Sequence, residues 1–298
     1  MVLVIGATGL LGSEVVLRLR RAGYPVRALA RVTANPERLE GLRQAGAEIV
    51  HGDLKQSATL QTACRGIEAI VTTASSTLSR QPGDSLQTVD RDGYFSLIDA
   101  ARQAAVRRFV YTTIPQKMHY ESPLTRAKAE VAQRLSASGI DYTVLAANFF
   151  MEVWLSQALG FDVQNGRATI YGTGERPIGF VSYKDVAEVA VRSLTVDASK
   201  NRTISVAGPA NVTPLEAVRT FERASGRSFT VEHVPEETLL EKRRSAADPL
   251  EQTFAALMLE YANGCPMDMR ETLAIFPMQL TSLQQYADSM FRRERANA

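Results

Sequence analysis

Gly6, Gly9 and Gly12 recur at every third position of GATGLLG, directly after the apolar run VLVI and ahead of a stretch with helical period, LLGSEVVLRLRRAG. In a strand-to-helix turn each glycine has its own use. One permits the tight bend, one lets backbone approach a pyrophosphate, and one allows the helix to pack closely. The backbone N–H groups of Leu10 and Leu11 then face the phosphates at the positive end of the helix dipole. Glycines also end strands for purely structural reasons, so the dinucleotide reading depends on this turn opening an alternating series of strands and helices.

Arg31 ends the next strand-like run, PVRALAR, at the place where a cofactor with a free ribose 2′-OH meets an Asp or Glu. A guanidinium takes a 2′-phosphate bidentately and offers nothing comparable to a neutral hydroxyl, which favours NADP(H) over NAD(H), with Thr8 and Arg38 as helpers. The bland alternative is a solvated arginine at a strand end. Asp53 and Leu54 follow the third strand and are placed to flank the adenine, and Thr73, Ala74 and Ser75 end the fourth strand beside the ribose. Each of these also suits an ordinary turn or cap, since Asp and Ser commonly bond local backbone.

The elements that must position these residues follow from the hydrophobic period. VLVI, PVRALAR, AEIVHGD, IEAIVTTAS, RRFVYTT and DYTVLAA read as six strands by residue 147, separated by helices such as NPERLEGLRQAG, SLIDAARQAAV and SPLTRAKAEVAQRLSASG. Such repetition predicts an α/β protein, a Rossmann doubly wound parallel sheet with a smaller mixed α/β C-terminal substrate domain. Residues 1–150 are the expected NAD(P)-binding domain, joined by a returning segment near 180–207, and residues 151–298 the substrate-binding domain, interleaved with it. RATIYGTGERPIGFVSY reads as two strands around a Gly-rich loop, RTISVAG and SFTVEHVP as further strands, and the chain from Glu236 as helical.

Composition narrows the partners. With 34 Lys+Arg against 32 Asp+Glu the net charge is +2, which gives no electrostatic argument for nucleic acid or a membrane surface. Small molecules are the expected substrates, while a homodimer or a regulatory protein partner stays open. Cys64 and Cys265 have no metal-ligand spacing, so free thiols and no metal site are expected. The absence of a signal-like or spanning segment makes the cytoplasm the expected compartment.

The pieces GATGLLG, VRALAR, GDL, FVYTT, SPLTRAKAEVAQRL, DYTVLAANFFME, FVSYKDVAEVA and VAGPANVTPLEAVRTFERASGR together resemble the NmrA-like atypical short-chain dehydrogenase/reductases, related to isoflavone reductase-like proteins and NADPH-dependent quinone reductases. They run in that family's order up to about residue 235. The resemblance implies NADP(H) held between a Rossmann domain and a smaller substrate domain. It embraces active reductases as well as cofactor-binding regulators and redox sensors.

In the wider superfamily a Tyr four residues before a Lys donates the proton; here Lys128 is present and Leu124 occupies the tyrosine's place. Leucine transfers no proton, which argues against an alcohol dehydrogenase working through a Tyr-Lys couple. By the resemblance, Lys128 binds the nicotinamide ribose or stabilises charge that develops as hydride arrives. Thr112 and Thr113 stand where the superfamily carries its active-site serine. Tyr120 and His119 precede Pro123 in a predicted loop from which either can reach substrate. Asn148 and Phe149 lie in the segment expected beside the nicotinamide, although Ala146 and Ala147 replace the family's usual Arg-Pro. Phe150, Met151 and Trp154, with Phe180 opposite, are the expected substrate pocket, apolar enough for a quinone or conjugated carbonyl. The spacing of 150, 151 and 154 also suits a core-facing helix stripe.

Overall fold

β1 (Val2–Ile5) is buried along its whole length, and an all-apolar run of this kind forms the centre of a sheet covered on both faces. The computed structural model describes residues 1–78, 81–115 and 118–297, with side chains through Phe291. After β1 come α1 (Leu10–Arg21), β2 (Val26–Ala30), α2 (Pro36–Gln44), β3 (Glu48–His51), α3 (Ser57–Ala63) and β4 (Ala69–Thr72). A π-helical stretch, Leu86–Gly93, runs into α4 (Tyr94–Gln103), followed by β5 (Arg108–Thr113), α5 (Pro123–Ser136) and β6 (Asp141–Ala147). The remainder comprises α6 (Met151–Trp154), β7 (Phe161–Asp162), β8 (Arg167–Tyr171), α7 (Tyr183–Arg192), β9 (Arg202–Val206), α8 (Pro214–Ser225), β10 (Thr230–Val234), α9 (Glu236–Ser245), α10 (Pro249–Asn263), α11 (Arg270–Ile275) and α12 (Leu283–Asn297).

The larger sheet has seven strands in the order β3-β2-β1-β4-β5-β6-β9. Val2 faces Val26 on one side and Ala69 on the other, both in parallel register. The order reverses between β1 and β4, which opens a crevice outside the carboxyl ends of the strands; doubly wound sheets bind ligands at such a point. A smaller sheet, β10-β8-β7, has one parallel and one antiparallel pair. The fold is thus the doubly wound parallel sheet with a smaller mixed sheet that the periodicity implied.

Local chemistry fixes the ends of the elements. Gly23, Gly46 and Gly139 follow helices at φ +81, +83 and +80, the left-handed region that glycine adopts without cost. Asn35 caps α2, and Thr213 with Glu216 forms a reciprocal capping box on α8. One expected strand is missing: beyond β8 the pairing shrinks to isolated bridges of Ile178 with Val212 and Cys265, and of Phe150 with Val181. Gly172 and Gly174 at φ +73 and +74, and Pro177 without an N–H, prevent a continuous ladder.

Two compact units divide the chain, Met1–Gln116 with Pro123–Ala146 and Val186–Ile204, and Lys117–Ser122 with Ala147–Asp185 and Ser205–Ala298. Leu3, Ile5, Ile70, Phe109, Tyr111 and Val144 centre the core of the first. Phe161, Ile170, Phe180 and Phe221 centre that of the second. Among the described residues no helix is long and apolar enough to cross a membrane, and no group of three or more His, Cys, Asp or Glu is arranged to hold a metal ion. Both cysteines are buried free thiols.

Candidate functional site

The glycine turn is closed so tightly that side chains are excluded from it. A Cβ on Gly12 would lie 2.1 Å from the Gly6 carbonyl oxygen, and one on Gly6, itself at φ +79, would lie 2.8 Å from Ala74 N and Thr73 Oγ1. Gly9 N donates to Gly6 O at 2.9 Å and Ser13 N to Gly9 O at 3.0 Å, which sets the start of α1. The helix has a glycine at its N-cap and no side-chain cap hydrogen bond, so no cap side chain satisfies its first-turn N–H groups. Thr73 N donates to Ile5 O at 3.0 Å, holding the β4 end against the turn. Gly6, Gly9, Gly12, Thr73 and Ala74 are thus packed together at the carboxyl ends of β1 and β4.

Arg38 Nη1 donates to Thr8 O at 2.7 Å and ties α2 to this turn. Arg31 is partly exposed at the same edge of the sheet, and its Nη1 lies 2.6 Å from Oδ2 of Asp84. Lys55 Nζ sits 2.5 Å from the other oxygen of Asp84. Asp53 Oδ1 accepts from Lys55 N at 2.9 Å, and Leu54 is buried. Ser75 Oγ lies 3.3 Å from Thr77 Oγ1.

A second buried cluster stands in the same unit. Lys128, on the inner face of α5, places Nζ 3.3 Å from Oδ1 of Asp90, and the side chains are 6% and 0% exposed. Asp90 comes from the π-helical stretch. Its Oδ2 accepts from Ser76 N at 2.9 Å and Ser76 Oγ at 2.6 Å, while its Oδ1 faces the lysine without hydrogen-bond geometry. The ammonium also lies 5.8 Å from the Tyr94 ring and 5.6 Å from the Tyr111 ring. Tyr94 OH donates to Ala74 O at 2.6 Å and accepts from Thr72 Oγ1 at 2.9 Å, linking this cluster to the β4 end. Burial pushes the phenols of Tyr94 and Tyr111 well above the usual tyrosine range, so both stay protonated. Thr112 and Thr113 are buried at the end of β5, and Thr112 Oγ1 has no hydrogen-bond partner among the described residues. Leu124, four residues before Lys128, is buried too.

The remaining expected residues belong to the second unit. Asn148 is buried, with Nδ2 donating to Cys265 O at 2.8 Å and Oδ1 accepting from Phe149 N at 2.9 Å. Phe149 meets Trp154 edge-on at 4.5 Å, and Trp154 stacks on Tyr261 at 5.2 Å and 15°. Phe180 lies 6.0 Å from the same Tyr261 ring. Met151 and Phe180 are 1% exposed and belong to the packed core, whereas Phe150 and Trp154 are half-buried. Tyr120 is half-buried among Leu239, Leu259 and Ala262, with the Arg243 guanidinium 5.9 Å over its ring. The buried carboxylate of Glu260 accepts from the backbone N–H of His119 at 2.8 Å and of Tyr120 at 3.3 Å, and lies 3.1 Å from His119 Nδ1.

Sequence reasoning missed Asp90, Asp84, Lys55, Glu260 and Tyr261. VDRDG offers two aspartates with nothing to single out the buried one, and only the π-helical winding turns Asp90 toward Lys128. Asp84 and Glu260 are far in sequence from the groups they hold.

A doubly wound sheet with a phosphate-type glycine turn at its switch point defines the class as a dinucleotide-fold protein. Within it, the chain belongs to the NmrA-like family, whose model matches residues 1–286. It is 29% identical over 98% of its length to the photosystem II assembly factor Ycf39 of Guillardia theta, covering 94% of that protein. It is 34% identical over 78% of its length to the (4-alkanoyl-5-oxo-2,5-dihydrofuran-3-yl)methyl phosphate reductase of Streptomyces griseus, covering 77% of that protein. Among solved structures, the NADPH complex of the Escherichia coli quinone oxidoreductase QOR2 superposes with a TM-score of 0.78 at 22% identity, covering 98% of this chain and 100% of the other.

Proposed function

We propose that this protein is an NADPH-dependent reductase that delivers hydride to a quinone-like or conjugated carbonyl acceptor. The observation that carries the reading is the buried Lys128–Asp90 pair, joined through Ser76, Tyr94 and Ala74 to the β4 end that abuts the glycine turn. A reductase relative at 34% identity supports it.

The residues suit a pyridine dinucleotide. The side-chain-free turn of Gly6, Gly9 and Gly12, with the N–H groups of Leu10 and Leu11, would hold the pyrophosphate. Thr8 and Arg31 would meet the adenosine ribose and its 2′-phosphate, Asp53 and Leu54 the adenine, and Thr73, Ala74 and Ser75 the ribose beyond. Thr112, Asn148 and Phe149 would stand toward the nicotinamide end. When bound, the reduced dinucleotide supplies the hydride.

Lys128 is buried and held by a carboxylate, so its part is electrostatic: a fixed ammonium that stabilises negative charge developing on the acceptor oxygen. Thr113 orients that oxygen. Tyr120, half-buried and held by Glu260 through its backbone, donates the proton that completes reduction. Phe150 and Trp154, both half-buried, would supply the apolar surroundings of the acceptor, whereas Met151 and Phe180 stand in the packed core behind them.

A second reading has its own support, since Leu124 fills the tyrosine position and a relative spanning 98% of the chain is named an assembly factor. In that reading the protein binds NADP(H) with little turnover and reports through a homodimer or a partner protein. NADPH oxidation by the purified protein against a panel of quinones and enones, with NADH in parallel, separates the two. Turnover of one acceptor class above the protein-free rate supports the reductase; tight NADPH binding with no acceptor consumed supports the sensor.

A further inference from the structure

In the sequence Arg31 stands as a lone cation awaiting a phosphate, yet in the fold its guanidinium already has an anion. Asp84 is 2% exposed and, among the described residues, bridges Arg31 and Lys55, with Oδ2 2.6 Å from Arg31 Nη1 and Oδ1 2.5 Å from Lys55 Nζ. Lys55 is anchored further by Pro82 O at 3.0 Å, and Asp53 lies 3.8 Å from the same ammonium. The cations themselves are accessible, Arg31 at 38% and Lys55 at 23%, while the carboxylate sits behind them. Arg31 directly follows β2, the neighbour of β1, and Lys55 stands in the loop after β3, so both lie past the carboxyl ends of their strands.

We propose that Asp84 is an internal anion competing with the 2′-phosphate of the dinucleotide for Arg31 and Lys55, and that Lys55 is a second phosphate-binding cation. The proposal rests on the dinucleotide reading of the glycine turn. Two cations held this close repel each other in the absence of an anion, and Asp84 relieves that repulsion in the free protein. A phosphate brings a charge of about −1.5 to −2 to the same pair and must be accepted next to a carboxylate. The resident carboxylate therefore lowers affinity for the phosphorylated dinucleotide while leaving the unphosphorylated one nearly untouched, and so sets the discrimination between them.

The test is calorimetric titration of the full chain with NADPH, NADH, 2′,5′-ADP and 5′-AMP, comparing wild type with Asp84→Asn and Lys55→Gln at low and moderate salt. Asparagine keeps the shape and one acceptor oxygen while removing the charge. Asp84→Asn is expected to tighten NADPH and 2′,5′-ADP by about fivefold or more, with NADH and 5′-AMP changing less than about twofold, and the gain shrinking as salt rises. Lys55→Gln is expected to weaken only the phosphorylated pair, by a similar factor. Unchanged or weaker NADPH binding in Asp84→Asn, or equal shifts for NADPH and NADH, overturns the proposal and leaves the dinucleotide reading standing. If Asp84→Asn fails to fold, Lys55→Gln decides, and an unchanged NADPH-to-NADH ratio overturns the proposal. Failure of wild type to bind any of the four ligands overturns the dinucleotide reading and the proposal with it.

Discussion

Nζ of Lys128 and Oδ1 of Asp90 are 3.3 Å apart with both side chains buried, the aspartate on a π-helical stretch and the lysine on α5. Neither group is separately tolerable there, because an uncompensated buried charge is costly. Lys128→Met is therefore expected to destabilise the protein by roughly 3–5 kcal/mol, leaving the Asp90 carboxylate with Ser76 alone. Asp90→Asn acts in the same direction, and the double variant costs less than the sum of the two. Urea unfolding of the three variants measures this; additive effects would deny the pairing.

The glycine turn makes a sharper prediction. At Gly12 a Cβ would stand 2.1 Å from a backbone carbonyl oxygen that no rotamer change can move. Gly12→Ala is expected to abolish NADPH binding and lower the melting temperature, whereas Gly41→Ala, where nothing lies within 4 Å, leaves binding unchanged and adds stability of up to about 1 kcal/mol. Calorimetry and thermal melts on both variants check the contrast.

Burial holds both thiols in the protonated form. Desolvation pushes Cys64 and Cys265 up from 9.0 to about 11. Ellman's reagent at pH 8 is expected to leave both unmodified in the native protein and to titrate both in urea. The folded-state values lie above the unfolded ones, so the stability each thiol contributes is fully present below pH 9 and is lost as pH rises toward 11. The unfolding free energy is expected to be lower at pH 10.5 than at pH 8, falling between pH 9 and pH 11 by roughly 1.4 kcal/mol per thiol for each step of one in pH.

Glu260 holds the backbone beneath Tyr120, so the two residues are expected to fail differently. Tyr120→Phe lowers kcat by about 10²-fold or more with NADPH affinity and stability unchanged. Glu260→Ala removes the acceptor of two backbone N–H groups and costs about 1–3 kcal/mol of stability as well as turnover. Stopped-flow turnover with parallel melts separates these outcomes; undiminished kcat in Tyr120→Phe removes the residue from the mechanism.

Much of the fold was legible because its signals are local. Buried parallel strands read as apolar runs, and glycines at Gly23, Gly46 and Gly139 mark helix ends by their backbone conformation. The expected strand around Ile178 failed because a proline and two left-handed glycines outweigh apolar content. At the candidate site, Gly6, Gly9, Gly12, Arg31 and Lys128 announce themselves by type and spacing, while the groups that hold them do not. Asp84 lies 53 residues from Arg31, and Glu260 lies 141 from His119. Such pairings arise only from tertiary packing. Spacing likewise could not separate pocket from core, and Met151 and Phe180 prove to be core-packed while Trp154 stacks on Tyr261.

The proposed function stands or falls on hydride transfer from the dinucleotide to a bound acceptor. That step is followed with NADPH deuterated at either face of C4, incubated with the protein and the best acceptor of the quinone and enone panel, with mass analysis of the reduced product and the recovered NADP. For an enone, deuterium from one face and not the other is expected at the carbon that accepts hydride; for a quinone, where the label exchanges, its stereospecific loss from the dinucleotide serves instead. Product formed without stereospecific loss of label, or no product with NADPH tightly bound, would rule against a reductase working in this way.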